Sequence, residues 1–324
     1  MDQTDKPAGK AYRDLRIVFM GTPEFAVASL DALVQSGAQV VGVITAPDKP
    51  AGRGLKLQES AVKKYAAEKG LTLLQPEKLK NPEFLEQLRA LNADLQVVVA
   101  FRMLPEAVWN MPPLGTINVH GSLLPQYRGA APINWAIING ETETGVTTFQ
   151  LRHEIDTGDM LLQQRLPIGE NETAGELHDR MKEAGAQLLV QTLQGLAAGN
   201  LQKRSQDAPT AQEQSNTLLR HAPKIVTDTG RIDWSRSAAD VHNLIRGLSP
   251  FPGAFTELDG KMLKIYRGER ENAQPSIPPG QVQTDRKTFL EFAAADGYIR
   301  VLELQLEGKK KMLVEDFLRG YRFA

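Results

Sequence analysis

A chain of 324 residues, 41% hydrophobic and 24% charged, has the balance of a soluble globular protein and the length for two domains. It contains no cysteine, which excludes disulfides and thiolate metal sites and fits a reducing compartment, with the cytoplasm as the expected location. A formal net charge of −1 argues against nucleic-acid binding through bulk positive charge; the densest positive cluster is Lys309, Lys310 and Lys311, in a mildly basic C-terminal part.

Residues 1–14 are polar and of mixed charge, with neither the basic start nor the apolar run of a secretory signal, and read as a polar N-terminal extension. No run of about 18 apolar residues follows, so no membrane span is expected. "LRIVFMG" is a strand, and "TPEFAVASLDALVQSG" a helix, with Phe25, Val27, Leu30, Leu33 and Val34 at helical spacing. The turn "MGTPEF" between them lacks the later glycines of a dinucleotide fingerprint, which weakens a nicotinamide dehydrogenase reading. It leaves two options, close helix packing or backbone N–H groups offered to an anion.

"QVVGVITA" is a second strand, and "PDKPAGRGLKLQ" reads as a loop because Pro and Gly recur too often for a regular element. Its Lys49, Arg53 and Lys56 form either a solvated surface loop or a basic finger that meets phosphates. Helix "ESAVKKYAAEKG", short strand "LTLLQP", helix "NPEFLEQLRALN" and buried strand "ADLQVVVAF" continue the alternation. Strands alternating with helices predict parallel pairing and right-handed crossovers, an α/β fold with a Rossmann-like doubly wound, mostly parallel sheet.

"GTINVH" is a strand ending at His120, "APINWAIINGE" a helix, and "TGVTTFQLRHEIDTGDMLLQQRLPI" has the alternation of a hairpin. Residues 172–199 form one long amphipathic helix or two, and residues 202–221, polar and aperiodic, read as a linker. Beyond it come a capped helix in "IDWSRSAADVHNLIRG", a Pro/Gly-rich turn, and β-like runs that include "KKMLVEDFLRG". These predict a small β-barrel or sandwich over 222–324, and a five-stranded barrel commonly presents a groove to oligonucleotides. Lys261, Lys264, Arg267 and Lys309 to Lys311 line that groove or form a solvated face.

The chemistry concentrates at the end of the fifth predicted strand. Asn118 and His120 are two apart, so both side chains share a face, at the sheet edge where open α/β folds place ligands. An amide donor beside an imidazole can hold a polarised carbonyl oxygen and move a proton, the two tasks of acyl transfer. Asp156, in the turn "EIDTGDM", is a candidate to orient the imidazole, although the sequence leaves their meeting open. No serine or cysteine sits in a nucleophile elbow, so the attacking group is assigned to a substrate. No metal is expected, because His120, His153, Asp156, Asp159 and His178 lack ligand spacing.

The segments "RIVFMGTPEFA", "APDKPAGRGLKL", "INVHGSLLPQYRGAAPI", "TGVTTFQLRHEIDTGDML", "LIRGLSPFPGAF" and "DFLRG", in this order from about residue 15 to the end, resemble the methionyl-tRNA formyltransferase family of folate-dependent formyltransferases. The resemblance implies a catalytic domain over 15–201, a linker over 202–221 and an OB-like tRNA-binding domain over 222–324. It also implies 10-formyltetrahydrofolate as formyl donor and initiator methionyl-tRNA as acceptor, with a monomer as the expected state. It puts the catalytic roles on Asn118, His120 and Asp156, the folate contact on Ser122, Leu123, Leu124 and Pro125, and the tRNA contact on Arg53, with Lys49 and Lys56 beside it. Two positions depart from the family pattern: Phe101-Arg102, where Tyr-Gly is common, and Gln126, where a basic residue is common. The nearest alternative is formyl transfer to a small amine such as glycinamide ribonucleotide or an amino sugar; a non-catalytic RNA-binding protein is the more distant one.

Overall fold

The computed structural model describes residues 10–51, 56–154, 156–206 and 218–323. Two compact units divide the chain: Met1–Arg128, Gly145–Arg165 and Asp179–Leu219 form one, and Gly129–Thr144, Leu166–His178 and Arg220–Ala324 the other.

The elements of the first part are, in chain order, β1 (Arg16–Gly21), α1 (Glu24–Gln35), β2 (Gln39–Ile44), β3 (Lys49–Ala51), β4 (Lys56–Gln58), α2 (Ala61–Glu68), β5 (Leu73–Leu74), α3 (Pro82–Ala90), β6 (Leu95–Val99), α4 (Glu106–Trp109) and β7 (Thr116–His120). They continue as β8 (Arg128–Gly129), α5 (Pro132–Ile138), β9 (Glu143–Gln150), β10 (Met160–Pro167), α6 (Ala174–Ala197) and β11 (His221–Ala222). The main sheet has seven strands in the order β10-β9-β7-β6-β1-β2-β5. Pairing is parallel from β5 through β2, β1 and β6 to β7, and turns antiparallel between β7 and β9. The doubly wound sheet expected from the alternation is therefore present, with an antiparallel edge.

Central strands β1 and β6 are mostly apolar and buried without alternation because both their faces are covered. Val18, Met20, Ile44, Phe84, Leu88, Val98 and Val108 form a core on one face. On the other, a Cβ at Gly185 of α6 would stand 3.1 Å from Val119 of β7, so that helix presses closely on the strand. Gly21 settles the first turn locally: a Cβ there would lie 2.6 Å from Ala26 and 3.0 Å from the Val99 carbonyl, so glycine lets α1 pack on β1 and β6.

Three sequence expectations need correction. The Pro/Gly-rich loop after β2 contains a two-stranded antiparallel hairpin, β3 with β4, in the register Lys49↔Gln58 and Ala51↔Lys56; a proline is tolerated at such an edge because the missing N–H would otherwise face solvent. Residues 202–206, read as the start of a linker, run against the sheet, where Arg204 and Met160 exchange both backbone hydrogen bonds at 2.8 and 2.9 Å. The third lies at the C-terminus. After the short strand Met312–Leu313, residues Val314–Gly320 are helical, not extended. Val314, Phe317 and Leu318 are buried at helical spacing, with Glu315 and Asp316 in the first turn and Arg319 in the last, as the helix dipole favours.

The second unit is built on α7 (Ala238–Gly247), β12 (Ala254–Leu258), β13 (Lys261–Glu271), β14 (Val282–Thr284), β15 (Leu290–Ala293), β16 (Tyr298–Leu306), β17 (Met312–Leu313) and α8 (Val314–Gly320). The strands make a curled antiparallel half-barrel in the order β12-β13-β16-β15-β14, with β17 on β16. Its strands share one core with Val241, Ile245 and Leu248 from the α7 segment and with Phe317 and Leu318 from α8, while Trp234 stacks on Phe292 at 4.7 Å. Ser237 caps α7 by accepting from the Asp240 N–H.

His242 lies on α7 and is 3% exposed. Burial, reinforced by the Arg246 and Arg270 guanidiniums, pulls its imidazole down to about 4, against the Gly268 backbone and Glu170. The unfolded chain takes this proton near pH 6.5, whereas the folded one refuses it until about pH 4, so the stability held above pH 6.5 drains away as pH falls. In urea unfolding, the wild type should lose about 1–2 kcal/mol more between pH 7 and pH 5 than His242→Gln does; equal losses in the two proteins would refute a buried neutral His242.

Candidate active site

The geometry starts from β7. Asn118 pairs with Phe149, and His120 with Thr147, across the antiparallel β7–β9 edge. Asn118 is half-buried and its side-chain amide has no hydrogen-bond partner among the described residues, so both its donors remain for a ligand. His120 is 7% exposed, and the Phe149 ring stands edge-on to it at 6.5 Å. Its Nε2 lies 2.9 Å from the Tyr127 carbonyl oxygen. A carbonyl only accepts, so this nitrogen carries hydrogen, and Nδ1 is the ring edge left for chemistry.

That edge faces Asp156. The Nδ1–Oδ2 separation is 3.9 Å, ion-pair range but longer than a hydrogen bond, with both side chains mostly buried. The two sequence candidates whose meeting was open are thus neighbours. Both residues that flank the imidazole adopt left-handed backbone, Tyr127 at φ 59 and Asp156 at φ 54. For non-glycine residues this costs about 1–2 kcal/mol each, strain of the kind that concentrates at functional sites.

The segment after β7 is strapped to its neighbours. Ser122 donates its hydroxyl to the Gln126 carbonyl at 2.6 Å, and its own carbonyl accepts from the Thr147 hydroxyl at 2.6 Å. Thr147 Oγ1 in turn accepts from the Leu124 N–H and from Gln163 Nε2, which also donates to the Leu124 carbonyl. Leu124 is buried in a cluster with Phe149 and Met160. Of the four residues expected to contact folate, Ser122 and Leu124 therefore spend their side chains internally, and Leu123 and Pro125 present half-exposed surface.

Gly158 explains the turn after β9. A Cβ there would sit 1.6 Å from the Gln150 carbonyl oxygen, so only glycine lets the turn press this closely on the strand end. The turn is further held by Gln206, whose Nε2 donates to the Asp156 and Gly158 carbonyls at 2.8 Å each. Gln206 Oε1 accepts from Arg128 Nε and Nη2 at 2.9 and 2.7 Å.

Lys49 is exposed on β3, and Lys56 lies opposite Ala51 on β4; Arg53 falls outside the described residues. The base of this hairpin is anchored by Asp48, whose carboxylate accepts from Lys63 and Gln75. Those hydrogen bonds, Lys63 first, hold its carboxyl below the usual range. Arg102, a departure from the family pattern, donates to the Pro76 and Glu77 carbonyls and stacks over Phe101, so it is occupied within the fold. Sequence reasoning missed Thr147, Gln163 and Gln206. The first two sit on inward positions of a hairpin already recognised, while Gln206 lies in an aperiodic polar stretch that gives no signal.

Among the described residues, no group of three or more His, Asp or Glu side chains is placed to hold a metal, and no helix is long and apolar enough to cross a membrane. The family pattern described as formyl transferase matches residues 15–193, and that of the formyl transferase C-terminal domain matches residues 224–322. The chain is 56% identical over 317 residues to a methionyl-tRNA formyltransferase of Parabacteroides distasonis, covering 95% of this chain and 96% of that one. It is also 56% identical to one of Phocaeicola vulgatus, over 96% and 97%. Among solved structures, WlaRD, a sugar 3N-formyl transferase crystallised with dTDP and 5-N-formyl-THF, superposes with a TM-score of 0.64 at 20% identity, covering 91% of this chain and 99% of that one. The likeness to WlaRD is one of fold; the two patterns and the full-length relatives carry more, and by them the chain belongs to the formyl transferase family.

Proposed function

We propose that this enzyme transfers the formyl group of 10-formyltetrahydrofolate to the α-amine of methionyl-initiator tRNA, yielding N-formylmethionyl-tRNA for translation initiation. The observation that carries this reading is the extent of the kinship: 56% identity to a methionyl-tRNA formyltransferase runs through 95% of the chain, half-barrel included. In this reading residues 15–201 are the catalytic domain and 222–324 the OB-like tRNA-binding domain; of the linker expected over 202–221, residues 202–206 belong to the catalytic side through the Arg204–Met160 pairing. The protein acts in the cytoplasm as a monomer.

The site fits a formyl donor on its own chemistry, because Asn118 offers an uncommitted amide beside the available edge of His120. When bound, the folate supplies the formyl carbon on N10. The Asn118 amide and the Nδ1–H of an imidazolium at His120 donate to the formyl oxygen, where negative charge grows as the amine bonds to carbon. Asp156 stabilises the imidazolium across 3.9 Å and accepts the amine's proton, directly or through a water, and that proton balances the one N10 takes as its bond to carbon breaks. Ser122, Leu123, Leu124 and Pro125 shape the folate side: the straps to Thr147 and Gln163 fix their backbone, and Leu123 and Pro125 give apolar contact. Lys49, Arg53 and Lys56 neutralise acceptor-end phosphates of the tRNA.

Three outcomes test the reading. Asn118→Ala, which leaves the strand's backbone pairing intact, should lower kcat/KM by about 10²–10³ with unchanged circular dichroism, since it removes one oxyanion donor; turnover within a few-fold of wild type would remove Asn118 from the mechanism. Arg53→Ala should raise KM for methionyl-tRNA while leaving KM for 10-formyltetrahydrofolate in place. In the wild type, moving from 50 to 200 mM salt should weaken tRNA use by about tenfold or more. Salt-insensitive tRNA kinetics would refute the phosphate contacts.

A further inference from the structure

The imidazole of His120 is held from two directions by segments far apart in sequence. On one side the Tyr127 carbonyl accepts from Nε2; on the other the Asp156 carboxylate faces Nδ1. Nothing in β7 itself fixes the distance between residue 127 and residue 156. One side chain bridges these two segments. Gln206 is 8% exposed and uses the whole capacity of its primary amide, two N–H donors to the Asp156 and Gly158 carbonyls and two lone pairs to the guanidinium of Arg128. Arg128 is the residue next to Tyr127.

The orientation of this amide is dictated. Turned over, its oxygen would face two carbonyl oxygens and its NH2 group would face a guanidinium, losing all four hydrogen bonds at once. Gln206 is itself located by the backbone exchange of Arg204 with Met160 on the sheet edge, two residues away. We infer that Arg128 and Gln206 are positioning residues that set the spacing of the His120–Asp156 pair, tying the strained Tyr127 and Asp156 backbones into one unit. This rests on the catalytic reading of His120 and Asp156 given above. Neither positioning residue touches a reacting atom, so their effect lies in kcat and leaves ground-state binding of the two substrates in place.

The test uses steady-state kinetics with 10-formyltetrahydrofolate and methionyl-initiator tRNA. Gln206→Met keeps side-chain volume and removes all four hydrogen bonds. Gln206→Glu keeps an acceptor for Arg128, loses both donations to the turn, and is the variant to read if the first does not fold. Either should lower kcat by about 10- to 100-fold with both KM values within about twofold, as expected when a reacting group is displaced by a fraction of an ångström to an ångström. Introduced into Asp156→Ala, the same change should cost less than about threefold, because the group it positions is gone. Wild-type kcat in a folded Gln206 variant, or an undiminished loss in the Asp156→Ala background, would overturn the inference. An Asp156→Ala enzyme with wild-type kcat would instead overturn the catalytic reading itself, whatever the Gln206 variants do.

Discussion

A histidine has two ring nitrogens, and this chain commits one of them. With Nε2 of His120 bonded to the Tyr127 carbonyl, the ring cannot rotate freely, its tautomer is restricted, and its chemistry is confined to Nδ1. Every other feature of the site follows from serving that edge. The carbonyl must point back at the strand from which the chain has just departed, which Tyr127 achieves through a left-handed backbone. The intervening residues must hold that loop firmly, hence the straps from Ser122 to Gln126 and from Thr147 and Gln163 to Leu124. Polar groups buried with this many partners are worth more in defining one geometry than in net stability.

The antiparallel edge of the sheet sets a second problem. β9 ends at Gln150, opposite Ile117, three residues before His120 along β7. A carboxylate on the following turn can reach the imidazole only if the turn folds back along the sheet. Gly158 permits this by lying against the Gln150 carbonyl, and the left-handed Asp156 directs the acid toward the ring. A hairpin with ordinary turn residues would have carried the acid away. The local cost of such a turn must be met by contacts elsewhere, and those contacts lie on residues 204–206.

The parts of this fold that sequence reveals are those with a sustained pattern. Continuous apolar runs give β1 and β6, helical spacing gives α1 and α3, and the two-residue spacing of Asn118 and His120 puts them on one face before any coordinates exist. Where the signals are short or mixed, the reading slips. Three strand residues around Pro50 are too few to declare themselves, and Val314, Phe317 and Leu318 were hidden behind a lysine run that resembled the strands before it. The meeting of His120 with Asp156 depends on a chain reversal whose only sequence mark is a single glycine, and the role of Gln206 on a tertiary contact 48 to 50 residues away, which has no local signature.

The choice of a neutral amide at position 206 has a physical reason of its own. A carboxylate there would pair with Arg128 more strongly but would place a second negative charge beside the Asp156 turn, opposed to the two carbonyl oxygens that now receive hydrogens. A lysine could serve the carbonyls but would repel Arg128. Only a primary amide offers two donors and two acceptors in a plane, so it can join a guanidinium to a pair of carbonyls without adding charge near the imidazole. Asp156 is then the carboxylate that faces the Nδ1 edge of His120, at 3.9 Å, and the bridge that holds its turn brings no further negative charge to that edge.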